Sequence, residues 1–182
     1  MSAKVNSIET TVKTMWLETQ RLIIREFKPE DSSQLAPILA NPKVMKFSSK
    51  GILSVEQTLM KINSFINSYQ KHGFGKWAMI HKQRNQLIGY CGLAIEKIDN
   101  VNEPEIGYRL ASEFWGKGLA TEAASAVIAQ GFEKFKLPYI LGIVEPANTT
   151  SVRVLEKLGM KYERKTIFNN VLMDIYRLDT KV

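Results

Sequence analysis

The residues between Glu105 and Ala124 are those best suited to chemistry. A run with strand character ends near Leu110, a short loop carries Gly116 and Gly118, and a helical run begins at Leu119. Amides of such a loop and of the first helical turn have no partner within the helix. They point outward, and the helix dipole adds about half a positive charge at that end. Glycine lets an anion come within hydrogen-bonding reach of the backbone, so the pattern predicts a diphosphate cradle. Two familiar phosphate loops do not fit. A Walker loop needs glycine where Ala111 stands and Ser or Thr where Gly118 stands. A dinucleotide loop, G-x-G-x-x-G, begins at Gly116 but meets Thr121 in place of its third glycine, and the alternating strand–helix frame is missing.

Other reactive side chains are few. A single cysteine, Cys91, excludes an intramolecular disulfide and a multi-cysteine zinc site, and two histidines, His72 and His81, leave little for a metal centre, so no metal is expected. Cys91 has no histidine beside it in sequence and reads as a buried thiol. His72 and His81 read as a helix-end and a strand-surface residue. Trp77, Trp115 and Phe74 either line a cleft or fill the core.

The elements that must position the loop follow from two periodicities. Arg21–Phe27, Lys76–His81, Gln86–Glu96, Glu103–Leu110, Tyr139–Val144, Met160–Thr166 and Val171–Leu178 have strand character. Asp31 or Ser32 can cap a short helix that runs to Ala40, where Asn41-Pro42 stops it. Ser54 can cap a helix to Lys71, whose apolar Leu59, Ile62, Phe65, Ile66 and Tyr69 recur at three- and four-residue steps. Leu119–Phe135 is the strongest helix, and Asn148 can cap another to Leu158, with Gly159 at its left-handed end. The expected fold is α+β: a mixed, mostly antiparallel sheet of about seven strands with helices on both faces. Residues 1–15 read as a flexible arm and 16–182 as a single domain.

With 182 residues, 45% hydrophobic and 24% charged, the chain can bury about 70% of its surface without a staple. No apolar stretch approaches the roughly 18 residues of a membrane span, and Met1–Trp16 lacks a signal peptide's apolar core, so a cytoplasmic protein is expected. The net charge of +7 favours an anionic partner. No helix-turn-helix, zinc or RNP-type signature accompanies it, and nucleic acid is not expected.

Trp115-Gly-Lys-Gly118-Leu-Ala120-Thr-Glu-Ala resembles the acyl-CoA loop of the GNAT acetyltransferases, commonly [Gln/Arg]-x-x-Gly-x-[Gly/Ala]. Asn148-Thr-Thr-Ser151-Val-Arg-Val-Leu-Glu156-Lys157-Leu158-Gly159-Met160 resembles the family's second conserved helix, Leu17–Arg25 its opening strand, and Phe74–Ile80 with Leu87–Leu93 its middle strands. These matches stand in family order over residues 16–178, and are most similar to the branch containing the ribosomal-protein N-terminal acetyltransferases.

The resemblance implies a GNAT fold that transfers acetyl from acetyl-CoA to a primary amine. It implies that the amides of Lys117, Gly118, Leu119, Ala120 and Thr121, in the loop opened by Trp115 and Gly116, hold the CoA pyrophosphate. Trp115 stands where many relatives carry Gln or Arg. By the same carry-over the backbone of Arg109 and Leu110 pairs with pantetheine, Asn148 meets the pantetheine arm, and Lys117 and Arg153 help neutralise phosphate. Amine acetylation needs a neutral amine, a donor at the thioester oxygen and a proton for the thiolate. Glu105 is the candidate base, or else a strand-end surface carboxylate; Ser151 is the candidate acid, or else a first-turn serine that satisfies the helix start. Leu155 stands where many GNAT enzymes carry a catalytic tyrosine, which leaves Tyr108 as a fallback donor. Catalysis by positioning alone is a further option.

The branch favours a protein N-terminus as acceptor over a polyamine, an aminoglycoside or another small amine, and leaves room for a homodimer. A basic acceptor would need an acidic cleft, which Glu96, Asp99, Glu103 and Glu105 could form. A CoA-binding module without catalysis is the alternative.

Overall fold

A computed structural model describes residues 16–180. The N-terminal arm expected over residues 1–15, and residues 181 and 182, lie outside the described residues. In chain order the strands are β1 (Trp16–Glu18), β2 (Leu22–Arg25), β3 (Lys76–His81), β4 (Gln86–Ile98), β5 (Val101–Leu110), β6 (Tyr139–Val144), β7 (Lys161–Phe168) and β8 (Val171–Asp179). The helices are α1 (Ser32–Leu39), α2 (Pro42–Met45), α3 (Val55–His72), α4 (Leu119–Glu133) and α5 (Thr149–Lys157). The strands form one eight-stranded sheet in the order β1-β2-β3-β4-β5-β6-β8-β7. Every neighbouring pair is antiparallel except β5 and β6. The strand beyond the expected seven is β1, which pairs its few residues with β2.

Local chemistry accounts for most boundaries. Ser54 and Gln57 form a reciprocal capping box at the start of α3, and Gly73 closes that helix with φ 76°. The Asn148 side chain accepts the Ser151 amide to cap α5. Asp99-Asn100 and Asn169-Asn170 turn the β4–β5 and β7–β8 hairpins with positive φ throughout, conformations that asparagine and aspartate tolerate. Asn41-Pro42 follows the end of α1 at Leu39 and its Ala40 cap, as expected, and also starts the next helix: Asn41 accepts the Lys43 amide and Pro42 occupies the first turn of α2.

Helices cover both faces of the sheet. Phe65 of α3 meets Tyr90 of β4, ring centroids 5.3 Å apart, on one face. On the other, Leu155 of α5 fills the space above Gly142 of β6. Among the described residues no helix is long and apolar enough to cross a membrane.

β2 leaves β3 beyond Arg25, and Tyr69 closes the gap. Its hydroxyl accepts the Phe27 amide at 3.3 Å and donates to the Lys76 carbonyl at 2.5 Å. Lys76 reaches into the cleft described below, so this hydroxyl ties α3 to the site. Tyr69→Phe leaves both backbone groups unpaired and is expected to lower stability by about 2 kcal/mol in urea unfolding; an unchanged midpoint would contradict this role.

Candidate active site

A cleft of about 680 Å³ opens where β5 and β6 part. The two strands meet in register only at Glu105 and Leu141, yet β5 runs on to Leu110 and β6 to Val144. Along β5, the Ala111 amide donates to the Ile88 carbonyl on the β4 side. Backbone groups alternate along a strand, so those of Arg109 and Gly107 also face β4; on the other side the Ile106 amide serves the single bridge to β6, and the groups of Tyr108 and Leu110 face the open edge. At the far end of that edge the Trp115 indole N–H donates to the Leu110 carbonyl at 2.9 Å.

The loop after β5 ends in a cradle of free amides. Gly116 and Gly118 both adopt positive φ, 73° and 76°, and Gly118 caps α4. The first amide of this helix end to find a protein acceptor is that of Glu122, which donates to the Gly118 carbonyl at 3.0 Å. Among the described residues, the amides of Lys117, Gly118, Leu119, Ala120 and Thr121 donate to no protein group. Such converging donors at a helix start hold a diphosphate. An ion pair braces the cradle from behind. Arg21 donates to the Lys117 carbonyl at 2.8 Å and pairs with Glu122 at 2.7 Å, while Glu122 also accepts from the Thr19 hydroxyl and the Arg21 amide.

Glu105 lies at the apex of the parting strands, and its partner is Lys76, Nζ to Oε2 at 2.6 Å. The two side chains are only 11% and 12% exposed. Lys76, Gly92 and Gly107 lie side by side across β3, β4 and β5, and Lys76 crosses this row to reach Glu105, donating on its way to the Gly92 carbonyl at 3.1 Å. The missing side chain of Gly107 leaves the room: a Cβ there would sit 2.5 Å from Lys76 Nζ and 2.9 Å from Glu105 Oε1. Across the sheet, Ser151 sits in the first turn of α5, and the Tyr108 hydroxyl donates to its carbonyl at 3.2 Å. Burial pushes the Tyr108 hydroxyl well above its ordinary pKa, the Ser151 contact opposing weakly, so it keeps its proton.

Residues 21–161 match the acetyltransferase (GNAT) domain model. The chain belongs to the GNAT acetyltransferase family. It is 33% identical to the uncharacterized N-acetyltransferase p20 of Bacillus licheniformis over 81% of this chain and 83% of that one. The crystal structure of a GNAT-family acetyltransferase from Bacillus anthracis superposes with a TM-score of 0.75 at 29% identity, covering 90% of this chain and 96% of that one. The ribosomal-protein-S5-alanine acetyltransferase of Vibrio fischeri shares the fold, with a TM-score of 0.74 at 17% identity over 91% and 96% of the two chains.

In this acetyltransferase the residues expected to act lie around one cleft. Glu105, Ser151, Arg109, Leu110, Trp115, Gly116, Gly118, Leu119, Ala120, Thr121, Asn148 and Arg153 all line it. Three placements differ from expectation. The Lys117 side chain turns back, Nζ donating to the Glu113 carbonyl at 2.7 Å, so only its amide serves the cradle. Arg109 offers the open edge no backbone; Tyr108 takes that place, and the Arg109 guanidinium crosses to α2, donating to the Val44 carbonyl at 3.2 Å. The Leu110 carbonyl is held by Trp115, which leaves its amide to the open edge. Of the expected acidic cluster, Glu96, Glu103 and Glu105 share one face of the β4–β5 pair, but only Glu105 lines the cleft. Glu103 is taken by the Tyr139 hydroxyl, and Asp99 by Thr166 and Arg164. Burial and the Glu105 charge raise the pKa of Glu96, which stays off the cleft wall.

Cys91 is fully buried and its pKa is pushed up to about 12, which removes it as a nucleophile. Trp77 and Phe74 fill the core against Phe135, while Trp115 lines the cleft. Leu155, where a tyrosine would stand, packs against Gly142. Sequence reasoning missed Lys76, Arg21 and Glu122. The Glu in Thr121-Glu122-Ala123 was the visible signal for one; the others act across the sheet.

Gly107→Ala is expected to part Lys76 from Glu105 and cut kcat at least tenfold with little change in Tm, because the Lys76 tip can move; wild-type turnover would count against the pair. Glu122 supplies a pH test. Burial raises its pKa, but Thr19 and Arg21 outweigh that and hold it below the usual carboxylate range. Its stabilisation is therefore full above about pH 4.3 and fades as pH falls through the lower folded value. Glu122→Gln is expected to cost about 1 kcal/mol at pH 7, allowing for the solvent around Arg21, and progressively less below about pH 4 in denaturant titrations.

Proposed function

We propose that this acetyltransferase moves the acetyl group of acetyl-CoA directly onto the α-amine of a protein N-terminus. The observation that carries the reading is the unpaired edge of β5, lying between a cradle of free amides at one end and a partly buried carboxylate at the other. Acetyl-CoA fits this arrangement, and when bound it supplies the acetyl group as a thioester. The amides of Lys117–Thr121 suit its diphosphate, and the Tyr108 backbone with the Leu110 amide suits an extended arm that adds to the sheet edge.

The chain's own groups divide the chemistry. Glu105 lines the cleft while its Oε2 stays with Lys76, so the carboxylate is held in place to accept the amine proton, directly or through water. An edge amide of β5 would polarise the thioester oxygen. Ser151 and Tyr108 stand together beyond that edge, where a leaving thiolate needs a proton. An α-amine, with an ordinary pKa of about 8, is partly neutral at physiological pH and makes only a modest demand on the base. Of the acidic residues near the β4–β5 pair only Glu105 lines the cleft, and it is paired with Lys76, which leaves a polyamine or aminoglycoside few carboxylates to meet there.

Glu105→Gln keeps an oxygen for Lys76 and removes the base. It is expected to lower kcat about a hundredfold on an N-terminal peptide while the KM for acetyl-CoA holds. Unchanged turnover would remove Glu105 from the chemistry.

A further inference from the structure

The face of the cleft opposite the cradle carries cations that the acetyl donor does not need. Glu105, Gly107 and Arg109 alternate onto the sheet face covered by α1, α2 and α3. There Lys43 and Lys46 line the mouth from α2 and its C-terminal cap, with Phe47 beside them. Both lysines are exposed, and Lys46 Nζ lies 5.1 Å over the Phe47 ring. Arg109 is half-buried. Its Nη1 is anchored on the Val44 carbonyl, and among the described residues no carboxylate pairs with its guanidinium. A half-buried guanidinium without a carboxylate partner, on a cleft wall that also carries two exposed ammonium groups, suits an incoming carboxylate. Of the carboxylates that share this face of β4 and β5, Glu105 alone lines the cleft and is already committed to Lys76, while Glu103 is held by the Tyr139 hydroxyl and Glu96 stays off the cleft wall.

We infer that the acceptor carries a carboxylate beside its reactive amine, the amine directed to Glu105 and the carboxylate to Lys43, Lys46 and Arg109. The inference rests on the transfer proposed above and narrows its substrate class: an N-terminus followed at once by acidic residues. The same chemistry has a second source, the carboxylate of an amino-acid-like amine.

Steady-state kinetics separates these. Hexapeptides beginning Ser-Asp-Glu, Ser-Asn-Gln and Ser-Lys-Lys, together with free glutamate and its diamide, are offered to the wild-type enzyme and to the Lys43→Glu/Lys46→Glu double variant, whose folding is checked by Tm. The acidic peptide is expected to exceed the neutral one in kcat/KM by about tenfold, and the double variant to erase that ratio. The preference should also shrink between low and high salt. Acetylation of glutamate alone, with the same lysine dependence, keeps the carboxylate site and overturns the protein N-terminus. Peptides acetylated without charge preference, or with the basic one favoured, overturn this inference and leave the proposed transfer standing. No acetylation of any of them overturns both.

Discussion

β5 and β6 run side by side yet touch in register at a single pair, Glu105 and Leu141. Past that point the backbone of β5 has an edge with no strand beside it, in the middle of a sheet. Interior amides and carbonyls left unpaired are costly, so such a gap persists only where another partner fills it. The fold answers one of these groups itself, with the Trp115 indole on the Leu110 carbonyl. The remainder, on Tyr108 and the Leu110 amide, are the donors and acceptors of a missing strand. Their spacing suits an extended chain, and the cradle stands where the anionic end of such a chain would lie.

The parting of the strands also makes two chemically different walls. On the α5 side stand Ser151, Asn148 and the protonated Tyr108 hydroxyl. On the α2 side stand Glu105, Lys76, Arg109 and the lysines of the short helix. A donor and an acceptor entering from opposite faces would meet at Glu105 without crossing each other. Gly107 keeps the lane between Lys76 and Glu105 clear, and the Gly92 carbonyl holds the lysine as it crosses, so the sheet positions the carboxylate although its partner is a flexible side chain.

Features written into consecutive residues were legible beforehand. The capping box at Ser54, the left-handed Gly73, the Asn148 cap and the glycines around Lys117 each declare themselves locally, and the resemblance of the Trp115–Ala123 loop set the fold. Features made by long-range pairing were not. Lys76 meets Glu105 only because β4 lies between them with a glycine in the row. The acidic residues near the β4–β5 turn looked like a cleft wall until Tyr139 and Arg164, from distant strands, took Glu103 and Asp99. β1 was too short to show a period, and Asn41-Pro42 carries the chemistry of a helix start as readily as that of a stop.

The account stands or falls on whether backbone amides, rather than side chains, grip the acetyl donor. Amide NMR of the isotopically labelled protein, titrated with CoA, reads those groups one by one. The largest shifts and the greatest slowing of exchange should fall on Lys117 through Thr121, with Tyr108 and Leu110 following along the strand edge. CoA binding that leaves these amides unmoved, or no binding at millimolar CoA, would contradict it.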